Sequence, residues 1–537
     1  MKTDSPPWKI PLMVAAVIGA ALLPLGCSKC GGPEPNTPKT PAKRVEQMAA
    51  SLPADTSAVA TVGDMEAFVA GISNWKARLE SLVPGTDLLT GQLKLLAGVD
   101  PFSLESWKEA GIGAEGGLSV ALVDSHPVLL AFVENRQSFE RTLLRRAGRL
   151  WEIAETPKTT SIGDHPVKMS QKKGDQLAWT YLGKMALVVF PAVDVGGSGG
   201  APTVSKTMGR LLGMKDAESL SSDGGFGAFT RDFERHHNAL FADPSTVLEM
   251  VGGGWNAQSL MLRMAVATVL SPVSGVGATF DGGDETVGGR LWLGFGDEQR
   301  ETLAGLGRGE GSASWSHLDT ERAFVGLQSN VDWAHFWSTL LDTLPEARSR
   351  DLRRKLKRWG DDVGLDAQKD LVDPFTGGAA LFVYDVGPNV GVDSLLTDPT
   401  GQLGYTETVA GFEFESPESV ANLRQKLVGS DSNSDTMKVP GVSARLVFAD
   451  DRVYVVSSAV DEASFRDLLE GDPSGDERFG AKDLVAGFGE LERLEAIASD
   501  RLPPDSTIRS FISEFSDAKI SLSAEAGALV FRISIAQ

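Results

Sequence analysis

Two stretches of nine residues, 116–124 (GGLSVALVD) and 377–385 (GGAALFVYD), most constrain what this chain folds into. Each joins a glycine pair to an apolar run and ends on aspartate, the pattern of a strand closed by a turn. The same succession surrounds both. Ahead of the first lie a strand over 57–62, Asp64 as a cap, a helix with Phe68, Ile72 and Trp75 on one side, and a second helix near 88–96. Ahead of the second lie a strand over 323–327, Asn330 as a cap, and helices over 331–344 and 348–359. Beyond each, 132–143 (FVENRQSFERTL) and 414–423 (FESPESVANL) read alike as strand, polar cap and helix.

The rest follows the same grammar. Residues 177–182 and 185–190 form a hairpin through the two-residue turn Gly183-Lys184. Strands at 238–242, 277–280 and 290–295 surround a helix opened by Asp243 and Pro244. Strands at 442–448, 452–457, 484–488, 519–523 and 528–535 alternate with short helices at 464–469 and 491–498. This predicts an α+β protein of two tandem duplicated halves, 45–311 and 312–537, each an antiparallel sheet with helices packed on one face. The nearest named plan for its β-α-β-β passages is the ferredoxin-like unit.

The start of the chain is different. Residues 1–9 are positive, and 10–25 are uncharged and mostly apolar, shorter than the ~20 residues of a spanning helix. This is the layout of a secretory signal over 1–26, ended by Gly26-Cys27. The ending LLPLGC resembles the lipobox of bacterial prolipoproteins, with Pro24 where leucine is usual. The resemblance implies cleavage before Cys27 and acylation of that residue. An uncleaved signal anchor, or cleavage at a nearby small residue, is the alternative. Residues 27–44 hold Pro33, Pro35, Pro38 and Pro41, so they read as the lipidated cysteine and an extended tether of about 50 Å. Cys27 and Cys30 are the only cysteines, so the body contains no disulfide. The Leu-Pro-Ala-Asp-Thr opening of the body, with the strand and helix after it, is loosely similar to large exported bacterial proteins of unknown function.

Charge narrows the partners. The first 50 residues carry 6 basic and 3 acidic side chains, and the remainder carries 45 and 69, a net −24. Nucleic acid needs a basic footprint and is excluded as a partner. Against this background, 347–359 (ARSRDLRRKLKRW) stands out. Leu352, Leu356 and Trp359 fall within about 60° of one another on a helix, and Arg350, Arg353, Arg354, Lys357 and Arg358 take the other side. Such a helix docks on anionic lipid or an acidic protein. In the competing reading, its stripe faces the core and its cations pair with Asp361 and Asp362. Arg141, Arg145, Arg146 and Arg149 make a smaller basic helix.

Motifs for chemistry find the wrong settings. The GxGxxG of 111–116 leads into a strand rather than a helix, so it reads as a turn. The GxSxG of 196–200 sits in a Gly/Pro-rich loop, not a nucleophile elbow. His236 and His237 diverge on a helix, and His126-Pro127 and His165-Pro166 read as turns before strands. Asp431, Asn433 and Asp435 begin like a calcium loop, but Thr436 and Val442 stand where glycine and the bidentate glutamate belong. Residues 260–270 are apolar except for Arg263 and Thr268, which fits a buried helix or a ligand groove.

No cofactor and no metal is expected. The function expected is that of an exported lipoprotein, held by Cys27 at a bacterial membrane with its body in the periplasm or outside the cell. The body would be a non-enzymatic interaction or scaffold module. A carrier of a lipid or other apolar ligand is the alternative, and a hydrolase of unfamiliar type the remote one.

Overall fold

The computed structural model describes residues 38, 40–82, 99–153, 156–172, 175–192, 202–215, 218–230, 238–251, 273–282, 286–307, 315, 317–343, 346–387, 404–429, 435–439, 442–470, 479, 483–499, 515–525 and 527–536. The chain divides into two compact units, Met1–Gly296 and Asp297–Gln537.

In the first unit the described elements are α1 (Pro41–Ala49), β1 (Ala58–Val62), α2 (Met65–Leu82), α3 (Leu104–Glu109), β2 (Leu118–Val123), β3 (His126–Phe132), α4 (Arg136–Trp151), β4 (Lys158–Ile162), β5 (His165–Lys172), β6 (Asp175–Leu182), β7 (Met185–Val189), α5 (Val204–Leu212), α6 (Gly224–Thr230), β8 (Asn238–Ala242), α7 (Pro244–Val251), β9 (Val273–Gly282) and β10 (Thr286–Phe295). Every pairing is antiparallel, in the order β10-β9-β8-β1-β2-β3-β7-β6-β5-β4. Local chemistry sets the ends. Asp64 accepts from the Ala67 amide (3.0 Å) and Asn135 from that of Ser138 (3.0 Å), each satisfying a helix-start donor. Gly183 takes the positive φ of its hairpin turn. Asp124 and Ser125 both have positive φ, so they alone form the β2–β3 turn. His126-Pro127 therefore opens β3, and His165-Pro166 opens β5, rather than preceding them.

The second unit contains α8 (Asp297–Ala304), β11 (Val325–Asn330), α9 (Trp333–Thr343), α10 (Glu346–Val363), β12 (Phe375–Val386), β13 (Thr406–Phe414), α11 (Pro417–Val428), β14 (Thr436–Lys438), β15 (Ala444–Ala449), β16 (Arg452–Ser457), α12 (Glu462–Leu468), β17 (Asp483–Glu490), α13 (Leu491–Ser499), β18 (Asp517–Glu525) and β19 (Ala528–Ala536). Its strands are again all antiparallel, ordered β19-β18-β17-β11-β12-β13-β16-β15-β14. That is the order of the first unit with one edge strand fewer. The residues 116–124 and 377–385 lead into or form β2 and β12, which hold the same place in the two orders.

The division between the two units falls at 296/297, and α8 packs on β18 and β19. Three expectations are corrected. Asp332, not Asn330, caps α9, accepting from the His335 amide at 2.9 Å. A ferredoxin-like unit places a third strand between the two that flank a helix; here β1 and β2 pair directly and antiparallel. Finally, helices pack on both faces of the strands in each unit rather than on one. In the first unit α2, α3 and α4 bury Val120, Leu129, Val188 and Trp179 from one side. From the other, α5 buries Met208 against the opposite face of β6 and β7. The mostly apolar β2 and β3 are buried throughout, Ser119 and His126 included, as two covered faces require. In the second unit Phe465 and Leu468 of α12 close one face, and Val420 and Leu423 of α11 close part of the other.

Candidate interaction surfaces

The basic helix is α10, and it extends further than its sequence stripe predicts. Gly364, with φ +79°, ends it, and the Leu365 amide turns back to the Gly360 carbonyl at 2.9 Å, a left-handed cap. Its buried edge is narrow. Ser349 donates to the Leu341 carbonyl of α9 at 2.7 Å. Gly360 sits so close to the returning chain that a Cβ there would lie 2.7 Å from the Leu365 oxygen. Leu352 and Leu356 are half-buried. Trp359 is 50% exposed and Val363 is 44% exposed, so the apolar stripe does not close on the core.

The cations divide into two groups. Arg350 reaches Glu346 (3.6 Å), Lys355 reaches Asp351 (3.0 Å) and Lys357 reaches Asp361 (3.1 Å), all within the helix. Exposed pairs of this kind contribute little. Arg353, Arg354 and Arg358 are exposed and make no hydrogen bond or ion pair among the described residues. Lys355, through its hydrogen bond, holds the Asp351 carboxyl below its ordinary range, with Arg354 and Arg358 adding to the field. The five cations singled out from sequence, Arg350, Arg353, Arg354, Lys357 and Arg358, thus share one exposed helix. On the smaller basic helix, α4, Arg141, Arg145 and Arg149 are exposed and one cation is not. Arg146 is buried with Nε and Nη2 unpartnered, and burial, then Arg149, lowers its pKa.

A second surface was not legible in the sequence. Ile533, Ile520, Gly487, Leu327, Leu381 and Ala410 pair successively across β19, β18, β17, β11, β12 and β13. Cross-strand partners share a face, so they form one apolar row about 24 Å long at the usual strand spacing. Phe531 and Phe412 lie on the adjoining row. Six of these side chains, Leu327, Leu381, Phe412, Ile520, Phe531 and Ile533, are 37–40% exposed. The corresponding row of the first unit runs through Leu291, Ala278, Leu240, Ala60, Val120 and Leu129; Leu291 and Leu240 are exposed there too, while Val120 and Leu129 are buried beneath Trp107, Phe139 and Leu143. On the second unit, rings run from α9 to the row: Trp337 stacks on Trp333 (5.9 Å), Trp333 meets Phe375 edge-on (5.5 Å), and Phe375 tilts against Phe412 (6.3 Å).

A third cluster joins residues far apart in sequence. His317 Nε2 lies 2.8 Å from the Tyr454 hydroxyl, and Arg452 Nη1 lies 3.4 Å from His317 Nδ1. Arginine only donates, so Nδ1 accepts and Nε2 carries the proton toward Tyr454. Arg452 also lies over the Trp315 ring at 5.3 Å and 3.9 Å from Glu413. Burial pushes the Tyr454 phenol up to about 12, so it stays protonated. This arrangement secures Trp315 and His317 to β16.

The remaining motifs fall into place or outside the description. Gly111, with φ +87°, turns the chain between α3 and β2, and its carbonyl accepts from the Glu134 (2.7 Å) and Asn135 (3.1 Å) amides. Asp435 pairs with Arg424. Cys27, Cys30, His236, His237, Asp431, Asn433 and the stretches 88–96, 196–200 and 260–270 lie outside the described residues. Among the described residues, no group of three or more His, Cys, Asp and Glu side chains is placed to hold a metal. Nor is any described helix long and apolar enough to cross a membrane.

No protein-family model matches the chain, and no curated protein matches it. Solved structures of TP0453 are similar over 46% of this chain. Crystal form III covers 80% of its own chain at 10% identity with a TM-score of 0.23. Crystal form I covers 78% at 10% identity with a TM-score of 0.24. Similarity at that level carries neither fold nor activity to this chain.

Proposed function

We propose that this chain is an exported lipoprotein, anchored by Cys27 to a bacterial membrane, whose body is a non-enzymatic interaction module. Its two units descend from one duplicated ancestor; their matching strand orders and the paired stretches 116–124 and 377–385 support this. The observation that carries the interaction reading is α10: an acidic chain concentrates cations on one exposed helix, where Arg353, Arg354 and Arg358 make no hydrogen bond or ion pair among the described residues. Opposite charge is what such a surface recruits. Replacing Cys27 with serine tests the anchor. The body is expected to move from the membrane fraction to the soluble fraction, and a variant that stays membrane-bound would refute anchorage at Cys27.

Carriage of a lipid or other apolar ligand is the second reading. It is favoured by the open apolar row from Ile533 to Ala410, with Phe531 and Phe412 beside it, because exposed contiguous apolar surface marks an interaction site. Extraction of the protein purified without residues 1–26, followed by mass spectrometry, tests it. A stoichiometric apolar molecule is expected on this reading, and an empty protein removes it.

A further inference from the structure

We infer that α10 docks on an anionic bilayer surface, with Trp359 and Val363 entering the interfacial layer. This rests on the proposal that α10 recruits an opposite charge, and it names the partner. Charge alone does not separate an acidic protein from a lipid headgroup layer; the exposed apolar residues do. At 100° per residue, Leu352, Leu356, Trp359 and Val363 make one stripe about 60° wide. The helix rests on the body along its neighbouring edge, Ser349 and Gly360, so the stripe is turned part-way outward. Trp359 and Val363 are the most exposed of the four.

Arg348 and Lys355 flank Trp359 on its solvent side, with Arg358 beyond them. This is the build of an interfacial helix: an apolar strip carrying tryptophan beside a basic face. Tryptophan favours the headgroup level because its ring is apolar and its N–H is polar. The rest of the body carries net negative charge, so approach to an anionic leaflet is favoured where cations are concentrated, as on this helix.

The test uses residues 28–537, which contain every described residue and neither the apolar leader nor the acylated cysteine. Flotation is measured with vesicles of phosphatidylglycerol mixed with phosphatidylcholine, and with phosphatidylcholine alone. Binding is expected only with the acidic lipid. Replacing Arg353, Arg354 and Arg358 with glutamine is expected to weaken it about five-fold per cation and roughly a hundred-fold together. Trp359→Ala is expected to weaken it about ten-fold at unchanged charge. All four sites are exposed, and an unchanged urea midpoint confirms that the variants fold.

Equal binding to neutral vesicles, no binding to acidic ones, or full binding by Trp359→Ala would each overturn the inference. Immobilised polyglutamate separates this from the reading beneath it. If the protein binds polyglutamate through the three arginines but ignores vesicles, the membrane inference fails and the acidic-partner reading stands. If it binds neither, both fail.

Discussion

Gly377 packs directly against the Val331 carbonyl oxygen, leaving no room for a side chain between β12 and the start of α9. Its φ of +95° is also one that other residues avoid. Gly377→Ala is therefore expected to destabilise the second unit by at least about 2 kcal/mol, read as a lowered urea midpoint. Gly163 is the control. It too has a positive φ, but nothing lies near its Cβ position, so Gly163→Ala is expected to cost only about 1 kcal/mol.

Two tryptophans give opposite expectations. Trp107 is fully buried in the core beneath α2 and α4 and donates to the Pro101 carbonyl at 3.2 Å. Trp107→Ala is expected to cost about 3–5 kcal/mol. Trp359→Ala is expected to stay within about 0.5 kcal/mol of the parent, because half of that side chain is already in water. Chemical denaturation of both variants checks the contrast, and a large loss at Trp359 would mean that α10 is packed inward.

Asn135 caps α4 through the Ser138 amide. Removing the side-chain acceptor in Asn135→Ala should cost about 1 kcal/mol, while Asn135→Asp should preserve the cap. Thermal unfolding of the two variants distinguishes loss of the cap from a general effect of substitution at this turn.

Asp370 ties the turn after α10 to α11. Burial alone would raise its pKa, but the hydrogen bonds from Lys426 (2.6 Å) and the Asp366 amide hold it below its ordinary range. A folded-state value below the unfolded one adds stability that is fully present above the unfolded value, near 4. That stability disappears as pH falls through the folded value. Asp370→Asn is therefore expected to lower stability by about 1 kcal/mol at pH 7, with the difference from the parent shrinking below about pH 4. Unfolding midpoints from pH 2 to pH 7 give the measurement.

Much of the fold was legible because its signals are local. The cap at Asp64, the turn at Gly183-Lys184, and Asp243 with Pro244 place elements that recur in the structure with matching starts. In the hairpin of β4 and β5 only the turn near His165-Pro166 was marked, since KTTSI is exposed almost throughout and has no buried alternation. The basic helix was legible by its period and charge, whereas the outward turn of Trp359 depends on Ser349 and Gly360 holding one edge. The apolar row was invisible for another reason. Ile533, Ile520, Leu327 and Leu381 come from strands far apart in the chain, and only the register brings them onto one face. The same holds for His317 and Tyr454.

The position of β1 has a consequence for biogenesis. It lies between β2 and β8, so its second edge stays unsatisfied until a strand roughly 180 residues downstream has been made, about 10–35 s at ordinary synthesis rates. Throughout that interval, Ala58–Val62 offers a row of bare amides and carbonyls to any passing strand. In a newborn chain of this protein, a holding factor or delivery in an extended state would protect that edge until the first sheet closes.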